Sequence, residues 1–208
     1  MTNHTLWLLR HGLSTGNRDH LRQGQRDFPL TDEGRQQAHM FAQALEQDSV
    51  VFQAIIASPL ARANETAEII ATVVGLPVEI DERWMERHGG TAEGQPLDRQ
   101  AEAPSTRTNI HAHKPLFIGG ESRLDLHLRA ASALQDLLRR EPGDYLIVAH
   151  GGILSEAVRT LLGWSPTGLC PPPSFRFDNC GYAQLTFHAG RRTWMVERVN
   201  ETGHLRTA

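Results

Sequence analysis

Twice in this chain a short apolar run stops at the dipeptide His-Gly. Residues 6–9 lead into Arg10-His11-Gly12, and residues 145–149 lead into His150-Gly151-Gly152. A β-favouring apolar run that ends at a polar residue and a glycine reads as a buried parallel strand leaving its sheet. In open α/β sheets, ligands bind in the crevice beyond the carboxyl ends of the strands. Neighbouring strands lie about 4.8 Å apart, so two such strands side by side bring their terminal imidazoles onto one small ligand. One imidazole then has the place of a nucleophile and the other that of a stabiliser of negative charge. Few structural needs call for that arrangement twice.

The rest of the chain alternates in a way that suits such a sheet. A polar loop follows the first run. Thr31-Asp32-Glu33 then reads as a helix start, with Thr31 as cap and acids in the first turn. Ala38, Phe41, Ala42 and Leu45 carry that helix at helical spacing. Residues 50–57 read as a second strand ending at Ser58-Pro59, and residues 60–74 as a helix stopped by Gly75. Residues 78–80 make a short strand. Residues 81–119 are irregular, broken by Gly89-Gly90, Gly94, Pro96, Pro104 and Pro115. A long helix is expected over 121–140, with Leu124, Leu128, Ala131, Leu134 and Leu138 as its core stripe. A helix over 153–162 and two strands, 182–187 and 193–199, joined at Ala189-Gly190, complete the order. The expectation is one three-layer α/β/α domain over residues 1–208. Its central sheet is mostly parallel, and a loop-rich excursion at about 81–120 crosses the active site.

Composition limits the partners. The 208 residues are 39% hydrophobic and 22% charged, with a net charge of -3. That is material for an ordinary core, and it excludes nucleic acid or an anionic membrane held by bulk charge. An anion must then be held by local arginines. Cys170 and Cys180 are too few for a disulfide framework. Residues 1–9 lack the features of a signal peptide, and no apolar run approaches about 20 residues, so a cytoplasmic protein is expected. Oligomeric state is open, a homodimer included.

Three loops at the same sheet face carry the chemistry. Arg10 precedes His11, and Arg62 follows the second strand. Guanidinium forks match phosphate oxygens and stay charged at any working pH. Helix N-termini add backbone donors for the same anion. A neutral imidazole attacks phosphorus, and burial beside cations keeps it neutral. Glu86, at the start of the excursion, is placed to protonate the leaving oxygen.

Leu9-Arg10-His11-Gly12, with Ser14 and Asn17 after it, resembles the signature of the histidine phosphatase superfamily, which includes the cofactor-dependent phosphoglycerate mutases. The likeness continues through Gln23-Gly24, Pro29-Leu30-Thr31, Ser58-Pro59-Leu60 with Arg62, Glu86, Gly120-Glu121-Ser122 and His150-Gly151, in the same order. The resemblance implies that His11 is phosphorylated, that His150, Arg10 and Arg62 hold the phosphoryl group, and that Glu86 is the proton donor. Ser14, Asn17, Gln23, Gly24 and Gly151 then stand on the substrate side. Leu13 takes a place often held by glutamate, which removes one polar contact. Gly89 and Ala92 replace bulkier residues, which thins the wall of the loop that carries Glu86.

The implied activity is hydrolysis of a small phosphorylated metabolite, with no metal and no cofactor. A phosphoglycerate mutase is the alternative. The span from Glu86 to His150 is shorter than in typical mutases, and an open site admits water to a phosphohistidine. Glu93 reads as a structural residue. His111-Ala112-His113 lacks the further ligands of a zinc site and reads as loop. Selectivity is expected from the excursion, where Arg107, Asn109, His111, His113 and Lys114 can reach a second polar group. Cys180 reads as core, and Cys170 has no evident role.

Overall fold

The computed structural model describes residues 3–97, 112–167 and 172–206. Its strands are β1 (His4–Arg10), β2 (Ala54–Ala57), β3 (Val78–Ile80), β4 (Asp144–Ala149), β5 (Tyr182–His188) and β6 (Thr193–Glu201). Its helices are α1 (Thr15–Arg18), α2 (Asp32–Gln47), α3 (Ala61–Val74), α4 (Arg123–Leu137) and α5 (Gly151–Leu161). The strands form one six-stranded sheet in the order β3-β2-β4-β1-β5-β6. The first four of these run parallel, and β5 and β6 continue the edge as an antiparallel hairpin.

The apolar runs are continuous because both faces of the sheet are covered. Side chains alternate along a strand. Leu6 and Leu8 therefore pack towards α4 and α5, with Ile147, Leu126 and Ile153. Trp7 and Leu9 face the other way, towards α2 and α3, with Phe41, Leu45, Ile70 and Val148. The result is a single three-layer α/β/α domain. The two His-Gly strands are direct neighbours, with Arg10 opposite Ala149 in register. Both histidines thus leave the sheet at the same edge.

Local signals fix most boundaries. Thr31 Oγ1 accepts from the Gly34 amide at 3.0 Å and caps α2. Gly75 ends α3 in the left-handed region with φ 73°, where a glycine carries no Cβ penalty. Cys180 is fully buried beside β5. Four expectations are corrected. Residues 50–53 connect elements rather than pairing, because Ser49 turns the chain at φ 53° after α2. The long helix is shorter than 121–140. Ser122 accepts from the Asp125 amide at 3.1 Å and sets its start, and it ends at Leu137. Its core face is also a different stripe: Leu126, Ala130, Ala133, Leu134 and Leu137 are buried, whereas Leu128 and Leu138 are exposed. Two stripes share helical spacing, and only the one carrying small alanines lets α4 lie close on α5 and the sheet. Finally, α5 begins at Gly151 rather than at Ile153, and α1 forms within the expected polar loop. Ser14 and Asn17 cap α1 reciprocally. Among the described residues, no helix is long and apolar enough to cross a membrane.

Candidate active site

His11 ends β1 and is buried. Its Nδ1 lies 2.7 Å from the Gly12 carbonyl oxygen, which can only accept, so Nδ1 carries the proton. Nε2 therefore holds the free lone pair. The ring centre is 5.1 Å from that of His150, with the planes tilted by 59°. His150 is buried too, and its Nε2 is 2.8 Å from Ser58 Oγ.

Two guanidinium groups complete the floor. Arg10 Nη1 donates to the Phe177 carbonyl at 2.7 Å. Arg62, in the first turn of α3, is almost wholly buried and donates to the carbonyls of Gly24 at 2.7 Å and Arg26 at 3.0 Å. Neither arginine makes a carboxylate ion pair among the described residues. Arg10 Nε, Arg62 Nε and His150 Nδ1 are buried with no hydrogen-bond partner. Buried polar groups are normally paired, so three orphaned nitrogens in one place mark a site built for acceptor oxygens.

Electrostatics follow from this geometry. Burial, then the Arg10 and Arg62 charges, push the His11 pKa well below the ordinary 6.5, against the Gly12 hydrogen bond. Burial, then Arg62, His11 and Arg10, do the same to His150. Both rings are neutral at physiological pH. Burial lowers Arg62 to about 10, which leaves it charged.

Glu86 meets this floor from the excursion. Its Oε2 accepts from the Gly152 amide at 2.9 Å, and Oε1 accepts from Arg87 at 2.7 Å and Ile153 at 3.2 Å. The carboxylate thus sits on the N-terminus of α5, the helix that starts right after His150. A Cβ at position 152 would collide with Glu86 Oε1, so this approach requires glycine. Arg129, on α4, anchors the segment from behind. It donates to the carbonyls of Met85 at 2.6 Å, Arg83 at 2.8 Å and Glu86 at 3.3 Å. Its other nitrogens grip the Glu121 carboxylate at 2.9 and 2.6 Å.

Arg10, His11, Arg62 and Glu86 line one cavity of about 350 Å³, together with Asn17, Gln23, Gly24 and Gly151. Ser14 stands behind the wall, fully buried, and donates to Asn17 Oδ1 at 2.9 Å and Gln23 Oε1 at 2.8 Å. Gly24 adopts φ 52°, and its place against Glu93 leaves no room for a Cβ. Glu93 holds the amides of Gln25 and Gly89, both at 2.8 Å, which is a structural role. Leu13 is half-buried, with its amide on Gln37 Oε1 at 2.9 Å. His113 and Lys114 are exposed and lie outside the cavity lining. Arg107, Asn109, His111 and Cys170 lie outside the described residues.

Sequence reasoning missed four supporting residues. Ser58 fixes the His150 ring. Thr66 accepts from the Gly12 amide at 3.1 Å and donates to the Arg62 carbonyl at 2.7 Å, which ties β1 to α3. Asn179 donates to the His11 carbonyl at 3.1 Å and to Asn17 Oδ1 at 3.1 Å. Arg129 is the fourth. Ser58 had a signal, since it ends a strand at the same sheet edge; the contacts of Asn179 span the length of the chain and had none.

This geometry has counterparts among known proteins. Residues 6–202 match the histidine phosphatase superfamily (branch 1). A probable phosphoglycerate mutase, GpmB, of Yersinia enterocolitica is 32% identical over 96% of this chain and 94% of its own length. The solved structure of a mycobacterial glucosyl-3-phosphoglycerate phosphatase is 30% identical, with a TM-score of 0.81 over 95% of this chain and 98% of that one. An Entamoeba histolytica phosphoserine phosphatase is 28% identical, with a TM-score of 0.81 over 98% of this chain and 100% of that one. With its paired His-Gly strands and arginine floor, the chain belongs to the histidine phosphatase superfamily, whose members are phosphatases or mutases.

Proposed function

We propose that this chain hydrolyses a small phosphomonoester through a phosphohistidine on His11, without a metal ion. One observation carries the reading: a neutral imidazole with its lone pair on Nε2 stands beside three orphaned nitrogens in one cavity. The phosphoryl oxygens accept from Arg10, Arg62 and the free nitrogen of His150. His11 Nε2 forms the N–P bond as the ester P–O bond breaks, and protonated Glu86 gives its proton to the leaving alkoxide. A water then attacks phosphorus, Glu86 takes the water's proton, the N–P bond breaks, and phosphate departs. The two arginines supply the positive charge that a divalent ion supplies in other phosphoryl-transfer sites.

The second reading is a phosphoglycerate mutase, which the name of the Yersinia relatives favours. The named phosphatase structures and the short span from Glu86 to His150 support hydrolysis. Supplied with 3-phosphoglycerate and a bisphosphoglycerate primer, in EDTA, the protein is expected to release phosphate without accumulating 2-phosphoglycerate. Efficient isomerisation would establish the mutase instead, and loss of all activity to EDTA with rescue by a divalent ion would remove the metal-free mechanism.

A further inference from the structure

The outer half of the same cavity bears on what leaves with the phosphate's bridging oxygen, and this inference rests on the phosphohistidine reading. A phosphoryl group occupies only the arginine floor of a cavity of about 350 Å³. That volume lies at the lower end of the range, about 300–1,000 Å³, in which pockets enclose drug-sized molecules. Above the floor the lining turns apolar, with Leu21, Leu97, Leu116 and Phe117. Leu97 is 53% exposed and Leu116 is 45% exposed. An exposed apolar surface rimmed by charge marks a binding surface.

These side chains stand on tethered backbone. Residues 20–22 pair with 94–97: Arg22 donates to the Gln95 carbonyl at 2.8 Å, Gly94 to Arg22 at 2.7 Å, and Leu97 to His20 at 2.9 Å. The opposite wall is held by Thr91 donating to Ile118 at 3.0 Å and Glu121 donating to His88 at 2.9 Å. Across the mouth, the Arg22 guanidinium lies 4.7 Å over the Phe117 ring and joins the two walls. The nearby polar groups already have partners. Arg87 Nε donates to the Glu121 carbonyl at 3.0 Å, and the Glu121 carboxylate is gripped by Arg129. A leaving group rich in hydroxyls would set its polar atoms against leucine without partners, which is unfavourable.

We infer that the substrate is the phosphate monoester of an apolar alcohol, whose alkyl or aryl body lies between Leu21 and Leu97 on one side and Leu116 and Phe117 on the other. The test is kcat/KM for ethyl, butyl and hexyl phosphate, with glycerol 3-phosphate and 3-phosphoglycerate alongside. A fully buried methylene is worth about fourfold and a half-buried one about twofold. The series is therefore expected to rise at least roughly tenfold from ethyl to hexyl. A flat series, or a polar ester preferred to hexyl phosphate, overturns the inference. Leu97→Ser with Leu116→Ser, both at exposed positions, should flatten the slope; an unchanged slope overturns the assigned walls. The same esters given to His11→Ala separate the two claims. Turnover that survives there defeats the phosphohistidine reading, whereas a flat series that still depends on His11 defeats only the apolar leaving group.

Discussion

At the scale of single residues, the roles divide by which proton each group holds. The Gly12 carbonyl fixes the His11 tautomer, and burial with two guanidinium neighbours keeps the ring neutral. Glu86 takes the opposite task, since its carboxylate is held by amides within reach of the leaving oxygen. Replacing Glu86 by glutamine keeps the shape and removes the transferable proton. General acid catalysis is worth about 10²- to 10⁴-fold. Glu86→Gln should hence lose about that factor on an alkyl phosphate and far less on p-nitrophenyl phosphate, whose leaving group needs little protonation. Equal losses on both would take Glu86 out of the acid role.

At the scale of elements, the acid is delivered by two devices, and only one of them was legible in the sequence. The strand-to-His-Gly pattern located β1, β4 and both imidazoles, because a buried strand ending at a glycine leaves a mark in the order of residues. The α4 clamp left none. Arg129 looks like any helix-surface arginine, and its hold on three carbonyls of the acid loop depends on where α4 packs. The same limit explains the misjudged α4 stripe: helical spacing alone cannot choose between two apolar faces. Asn179 was hidden because it reaches the site only once β5 lies beside β1. Arg129→Met should lower kcat by roughly 10- to 100-fold, the scale of an ångström-sized misplacement. KM should change little, the deficit should be larger on alkyl than on aryl esters, and Arg129→Lys should recover part of it. A variant that retains full kcat, or whose loss is equal on both ester classes, would reduce Arg129 to a purely structural residue.

At the scale of the whole molecule, the sheet holds two buried neutral histidines at its edge, and folding is linked to their protonation. In the unfolded chain each titrates near its ordinary value, whereas in the folded chain both are held well below it. As pH falls through about 6.5, the unfolded state takes up protons that the folded state refuses, so stability drops. Above that pH the linkage contributes no loss. The urea midpoint should fall from pH 7.5 to pH 5.5, and it should fall less in the His11→Gln, His150→Gln double variant. An equal fall in both proteins would place the acid sensitivity elsewhere. The same burial predicts that His11 remains a nucleophile where an exposed imidazole is half protonated.

That nucleophile is the centre of the account, and it can be seen directly. Brief incubation with a ³²P-labelled ester, a rapid alkaline quench and mapping of the label would locate any covalent phosphate. The account predicts an acid-labile, alkali-stable phosphate on His11 that forms within one turnover and is absent from His11→Ala. Undiminished turnover in His11→Ala, or a label found on any other residue, would contradict it.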